Sequence, residues 1–578
     1  MSVAIVPFIR TALHCCHLMT LFVLVLTSCA ATSPPVVNEI RLHSQMSWIE
    51  EPAVPRLHEK VNDAVDEVTL ELAKMAQWIV TPANQAREGS LIELAIRSSE
   101  NAKADAKVLT VWDWENRPVA QVKGDGALPQ VVRMRVEGRG VFLLTLDGFR
   151  DGKHAYRLVR SFAVLPANDE ARSRWKNSDY WLGICAFPGR YHWSSGGKPS
   201  KPDSISEENA REIEAEAMAK LGLTVARLDV SMVLPENEKA PIDWKRMDAA
   251  VDAYTSRGFE LALQLMHPPD WAMEEKYKSE TKDRWRFPRR EEPYRRYVRE
   301  IVSRYGKHAK FVQVYNEPDQ LEFWAASSEE FVTELGRARE EIRKLLPTTP
   351  IVNGGYAFID PKRTEYFTLE FNGKIDLAAY HSHGNLRELK RDVTHMRQLH
   401  EAAGYDKPRY VNTECGFAAW RLDQERAQAA SVVQKILYSW AHGDEGMLLF
   451  ASRMTKAPGR TGRDFGFLDY DFCPRFVYGT VAAFVDLFAG AKFERVLLEA
   501  DSAHAYLFRR GTQHIVAYFA VVESKALTIT SDAKAAKLID AMGNASDHKG
   551  DVSRLNVNAG ALVKTIILEG ATLVELSQ

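Results

Sequence analysis

Phe311-Val312-Gln313-Val314-Tyr315-Asn316-Glu317-Pro318-Asp319 is a short apolar run that ends on an Asn-Glu pair and is stopped by a proline. A run of this length, closed by a residue that cannot donate to a ladder, predicts a buried strand that delivers a carboxylate to its C-terminal rim. Arg409-Tyr410-Val411-Asn412-Thr413-Glu414-Cys415-Gly416 repeats the pattern and places a second strand-end glutamate 97 residues later. Whether the two carboxylates face one another depends on the sheet that carries them.

Working outward, strand-like segments at 182–187, 223–230, 259–266, 310–315, 350–354, 375–380, 408–414 and 446–451 alternate with helical ones. Ser206 is placed to cap a helix with Ala210, Ile213, Ala217 and Leu221 on one face, and Gly222 to stop it. Trp244, Met247, Val251 and Tyr254 form the next stripe, ended by Gly258; Tyr294, Val298, Ile301 and Tyr305 form another, ended by Gly306; Gly404 and Gly443 close two more. Each buried parallel strand needs a helix to cross back over it, so eight such units predict an α/β fold, a closed (β/α)8 TIM barrel. A doubly wound open sheet competes, but Ala186-Phe187-Pro188-Gly189 stands after the first strand where that fold carries a glycine-rich phosphate turn.

With 578 residues the chain exceeds one domain. Residues 30–170 begin with a tether and continue with β texture, as in 91–97, 107–112, 131–136 and 141–146, punctuated by Gly124-Asp125-Gly126 and Asp151-Gly152. They predict an N-terminal β-sandwich-like domain. The barrel is expected over 171–490, and a second β-sandwich over 491–578, where 505–508, 514–519 and 564–568 are strand-like.

Residues 1–29 read as a signal peptide: Arg10 precedes an apolar run over 18–26 that is too short for a stable membrane anchor. The run closes with Leu26-Thr27-Ser28-Cys29, which resembles the bacterial lipobox and implies lipidation of Cys29. Plain secretion with cleavage after Ala30 is the alternative. The expectation is an exported protein of the bacterial cell envelope, touching the membrane only through a lipid at Cys29, or otherwise secreted or periplasmic. A formal net charge of −2 gives no basis for a nucleic-acid partner. Cys185, Cys415 and Cys473 make no disulfide framework and read as buried thiols.

In a barrel the C-terminal strand ends open on one face, so Glu317 on the fourth strand and Glu414 on the seventh share one mouth. Paired carboxylates in that arrangement suit glycoside hydrolysis. Asn316-Glu317-Pro318 and Glu414 resemble the two signatures of the clan A glycoside hydrolases. Asp319, Phe323-Trp324 and Pro268-Pro269-Asp270-Trp271-Ala272 look most like family 39 and its neighbours in family 5. The resemblance implies a carbohydrate substrate and a retaining mechanism, with Glu317 as acid/base and Glu414 as nucleophile. By the same resemblance Arg227 lies beside the nucleophile, and Asn316 meets the sugar 2-hydroxyl. His267, His381, His383 and Trp271 become substrate-side residues. No cofactor and no metal is implied.

The chain departs from the pattern at His383, where a tyrosine is usual, and near Phe450, where no platform tryptophan follows the eighth strand. Two other classes compete: a glycan-binding lipoprotein that keeps the barrel as a groove, and a metal-dependent barrel hydrolase using His381-Ser382-His383.

Overall fold

Alternation of buried strands and amphipathic helices resolves into the expected architecture in the computed structural model. It describes residues 36–43, 77–80, 85–97, 106–125, 131–166, 170–175, 178–188, 205–229, 235, 237–266, 268–280, 284–358, 363, 366, 374–405, 407–419, 424–453 and 464–577. The leader, Cys29 and His267 lie outside the described residues.

The barrel strands are β1 (Trp181–Ala186), β2 (Val225–Asp229), β3 (Glu260–Leu265), β4 (Ala309–Val314), β5 (Ile351–Val352), β6 (Ala378–Ser382), β7 (Tyr410–Cys415) and β8 (Gly446–Leu449). They form one sheet in the order β5-β4-β3-β2-β1-β8-β7-β6, and every pair is parallel. The first strand pairs with the last, Trp181 opposite Gly446, which excludes the doubly wound sheet. Between β5 and β6 the ladder thins to single bridges, Val352 to Leu377 and Tyr356 to Tyr380. Asn353 completes this seam with its side chain, accepting from Ala379 N at 2.6 Å and donating to Ala379 O at 3.4 Å.

Sequence punctuation sets the helices. Ser206 accepts from Asn209 N at the start of Glu207–Lys220, and Gly222 takes φ +82° at its end. Gly258, Gly404 and Gly443 are left-handed in the same way. Gly306 is not: it keeps φ −57° and leads into a 3₁₀ turn, because a Cβ there would lie 2.8 Å from Leu346 Cδ1. Gly124 and Asp125 likewise end a strand, Pro118–Asp125, instead of turning the chain.

Inside the barrel the period of two produces a change of polarity along the strands. Cys185, Val225, Ala262, Phe311, Val411 and Leu448 pack as an apolar layer. Two residues further along, Arg227, Gln264, Gln313 and Thr413 are also buried. The C-terminal end is thus a polar floor on an apolar plug.

The N-terminal region holds a four-stranded and a five-stranded sheet, with Asp151-Gly152 turning the hairpin between Gly140–Arg150 and Lys153–Leu165. The C-terminal region packs a six-stranded against a three-stranded sheet, with Leu507, Val516 and Ile566 meeting Leu527, Ile529 and Leu555. Both lean on the last helices of the barrel. Arg139 donates to Asp486 at 2.8 Å, and Trp440 and Phe508 have ring centroids 4.9 Å apart. Cys185, Cys415 and Cys473 are buried and form no disulfide among the described residues.

The loops around β7 and β8 are tied by Arg475, which donates to Glu425 at 2.9 Å and to the carbonyls of Gly466 and Ala419 at 2.7 and 2.8 Å. Arg475→Met leaves Glu425 buried without its counter-charge, so we expect a loss of about 3–5 kcal/mol in urea denaturation.

Candidate functional site

The strand ends deliver their carboxylates through two local departures from regular structure. On β7, Asn412 pairs with Tyr380 and Glu414 with His381, so β7 spends one residue more than β6. The count against β8 is the same, with Asn412 opposite Met447 and Cys415 opposite Leu449. This bulge re-aims the strand end, so that Thr413 and Glu414, neighbours in sequence, both serve the mouth. Thr413 Oγ1 lies 3.2 Å from His381 Nε2. Glu414 Oε1 accepts from Arg227 Nη2, and Asn412 Oδ1 holds Glu414 N at 3.1 Å.

After β4, Tyr315 and Glu317 adopt φ +67° and +41°, left-handed conformations that cost about 1–3 kcal/mol each in a residue with a side chain. Tyr315 N donates to Leu265 O at 2.9 Å, and its hydroxyl donates to the buried carboxylate of Glu334. Glu317 N donates to Gly354 O at 3.1 Å. Glycine is required at 354, where a Cβ would lie 2.9 Å from Pro318 Cδ, and at 355, where φ is +84° and a Cβ would lie 2.1 Å from His381 Nε2.

One cluster results. Glu317, His381, His383 and Glu414 each offer a donor atom within 4.8 Å of the others. Glu317 Oε1 is 2.7 Å from His381 Nδ1, and Gln320 Nε2 donates to Glu317 Oε2. His383 Nε2 is 3.0 Å from Glu414 Oε2. Gln264 Nε2 donates to Asn316 Oδ1 at 3.1 Å. Of the residues singled out from sequence, Glu317, Glu414, Arg227, Asn316, His381 and His383 therefore come together. Trp271 is tied elsewhere, its indole donating to Pro235 O at 2.9 Å, and among the described residues it makes no contact with the cluster. Trp324 is fully buried against Tyr315 and Phe331, a packing residue.

Sequence reading missed Gln320, Thr413, Phe465 and Lys435. Gln320 lies one turn beyond Glu317, a spacing that could have flagged it. Lys435 is helical, fully buried, and donates to Ser382 O, Gly384 O and Gly416 O at 2.8, 2.9 and 2.6 Å. Lys435 is the one charged residue between Ala427 and Ala441, and that was its signal. Phe450 and Phe465 flank His383, each with a ring centroid 5.1 Å away.

The two carboxyls titrate in opposite directions. Burial and the charge of Glu414 push Glu317 well above the ordinary carboxylate range. Burial also acts on Glu414, but the Arg227 guanidinium, with the hydrogen bond from His383, outweighs it and holds Glu414 far below that range. His381 is pushed down to about 4 by burial and is neutral at neutral pH. The donor types would suit zinc. Arg227 opposes this: its guanidinium is already paired with the Glu414 carboxylate and sets a fixed positive charge beside any cation bound there.

No family model matches the sequence, and no curated protein matches it. Solved structures do. A family 39 glycoside hydrolase from the gut symbiont Bacteroides cellulosilyticus WH2 superposes with a TM-score of 0.65 at 15% identity, over 85% of this chain and 100% of the other. A family 39 β-xylosidase from Caulobacter crescentus gives 0.48 at 16% identity, over 68% and 96% of the two chains. A family 30 subfamily 8 xylanase from Clostridium acetobutylicum gives 0.46 at 10%, over 67% and 95%. The first of these, at 15% identity, bears on the fold alone and agrees with a TIM barrel with flanking β domains.

The raised pKa of Glu317 has a consequence for stability. Above about pH 4.3 the unfolded chain has lost this proton while the folded site retains it, so folding is progressively disfavoured as pH rises through that window. Glu317→Gln removes the effect. Its melting temperature should exceed that of the wild type by a margin that widens from about pH 5 into the neutral range, at up to about 1.4 kcal/mol per pH unit.

Proposed function

We propose that the chain is an exported glycoside hydrolase that cleaves O-glycosidic bonds of a poly- or oligosaccharide by double displacement with retention. Glu414 attacks the anomeric carbon while Glu317 protonates the leaving oxygen, and water then hydrolyses the glycosyl-enzyme with Glu317 as base. The observation that carries this reading is a buried pair of carboxyls, close together and held in opposite protonation states. Each carboxyl brings an oxygen to within 4.8 Å of the other, which favours the short gap of about 5–5.5 Å used in retention over the roughly 6.5–9.5 Å that admits an attacking water.

Arg227 keeps the nucleophile ionised, and Asn316, fixed by Gln264, is placed to meet the sugar 2-hydroxyl. A non-catalytic glycan binder has no use for two carboxyls buried at this cost. The fold shared with a family 39 enzyme supports the reading. The apolar run over 18–26 and the lipobox-like Leu26-Thr27-Ser28-Cys29 support export with a lipid on Cys29.

Screening polysaccharides and aryl glycosides identifies the substrate. Glu414→Gln should then abolish turnover, and Glu317→Gln should slow it about 10²–10⁴-fold, least for the best leaving groups. The first-formed product, followed by NMR, should keep the anomeric configuration of the substrate; an inverted product contradicts double displacement. Cys29→Ser should move the protein from the membrane to the soluble fraction.

A further inference from the structure

We propose that His383 is a catalytic residue, donating Nε2–H to the Glu414 carboxylate and stabilising it as it leaves the sugar, and that Lys435 positions it. The inference rests on the double-displacement reading above.

The contact fixes the proton. His383 Nε2 lies 3.0 Å from Glu414 Oε2, and an ionised carboxylate only accepts, so the hydrogen is on Nε2. Nδ1 is buried without a partner. The ring stands between Phe450 and Phe465, tilted 75° and 60° to them, and a Cβ at position 416 would lie 3.1 Å from Nδ1. Among the described residues the imidazole therefore stands between two phenyl rings and makes one hydrogen bond, to the nucleophile.

Lys435 explains how that contact is held. An ammonium buried in a barrel wall is costly unless its donors are satisfied, and this one places them on the carbonyls of Ser382, Gly384 and Gly416. Two of these carbonyls flank His383, and the third lies two residues beyond Glu414. The charge is thus used to clamp the loops after β6 and β7 against each other.

In the second displacement, water adds to the anomeric carbon, Glu317 takes its proton, and the bond between that carbon and Glu414 breaks with its electron pair returning to the carboxylate. Arg227 meets the returning charge on Oε1 and His383 N–H meets it on Oε2; no proton moves to or from His383. The groups facing Glu414 are Arg227 on β2, Glu317 after β4, His381 on β6, His383 beyond it and the Cys185 thiol on β1.

The test uses the full chain with 4-nitrophenyl glycosides of common neutral sugars, and compares His383→Leu, His383→Gln and Lys435→Met. The glutamine keeps an N–H donor at about the reach of Nε2. His383→Leu should lower kcat about 10- to 100-fold, give a pre-steady-state burst of nitrophenol, and shift the acid limb of kcat/KM to higher pH. His383→Gln should restore most of both, and Lys435→Met should resemble the leucine variant more weakly. The proposal is overturned if His383→Leu keeps wild-type kcat and acid limb, or if the leucine and glutamine variants are equally slow with an unmoved limb at unchanged melting temperature.

Independently of turnover, ¹⁵N NMR of histidine-labelled protein, assigned with His383→Gln, should show a protonated Nε2 and an unprotonated Nδ1; the opposite tautomer also overturns it. An active Glu414→Gln would instead defeat the double-displacement reading. An inactive Glu414→Gln beside an unaffected His383→Leu would defeat this inference alone.

Discussion

The ion pair between Arg227 and Glu414 is the constraint on which the rest of the site depends. Two carboxyls within 4.8 Å of each other in a buried floor cannot both ionise without compensation. A single guanidinium, committed to one of them, breaks the symmetry. Glu414 then keeps its charge, and Glu317 is left with burial and a like charge as its neighbour, which hold it protonated. On the proposed mechanism, an acid and a nucleophile of the same residue type follow from where one arginine points.

Holding that arrangement requires backbone that no regular strand provides. Tyr315, Glu317 and Phe358 all take positive φ; Glu317 N is held by the Gly354 carbonyl at 3.1 Å, and the other two residues by buried carboxylates. Glu334 accepts from the Tyr315 hydroxyl, and Asp319 accepts from Ala357 N and Phe358 N at 3.0 and 2.9 Å. Burial pushes Asp319 up to about 6 despite those donors, so its role is to fix the loop after β5. Lys435 does the corresponding work beneath β6 and β7. Acidic and basic groups in the wall spend their hydrogen bonds on backbone and leave Glu317, Glu414 and the histidines to face the mouth.

Much of the scaffold was legible because it rests on local rules. Apolar runs of four to six residues located the barrel strands, and glycines at Gly222, Gly258, Gly404 and Gly443 marked helix ends because only they take φ > 0 freely. Gly306 obeys a different rule, close packing against Leu346, which local pattern does not encode. The two glutamates were visible because each ends a strand, and order along the chain placed them on one rim. The β7 bulge was not visible: register depends on partners more than thirty residues away, and the same six residues read equally well as a regular strand. Thr413 and Lys435 escaped for the same reason, since each acts on a group that only the closed barrel brings near, whereas Gln320 acts on Glu317 within one turn and was open to a reading of local spacing. Trp271 shows the converse, an aromatic on a 3₁₀ turn beyond β3 whose indole is tied to the Pro235 carbonyl.

The central claim is that Glu414 forms the covalent bond to the sugar. Incubating the protein with activated 2-deoxy-2-fluoro glycosides and mapping the label by peptide mass spectrometry tests it most directly. The account predicts time-dependent inactivation with one sugar per chain attached to Glu414, and no labelling of Glu414→Gln. Turnover of natural substrate with no label at any concentration of inactivator, or a label on Glu317 or another residue, would contradict it.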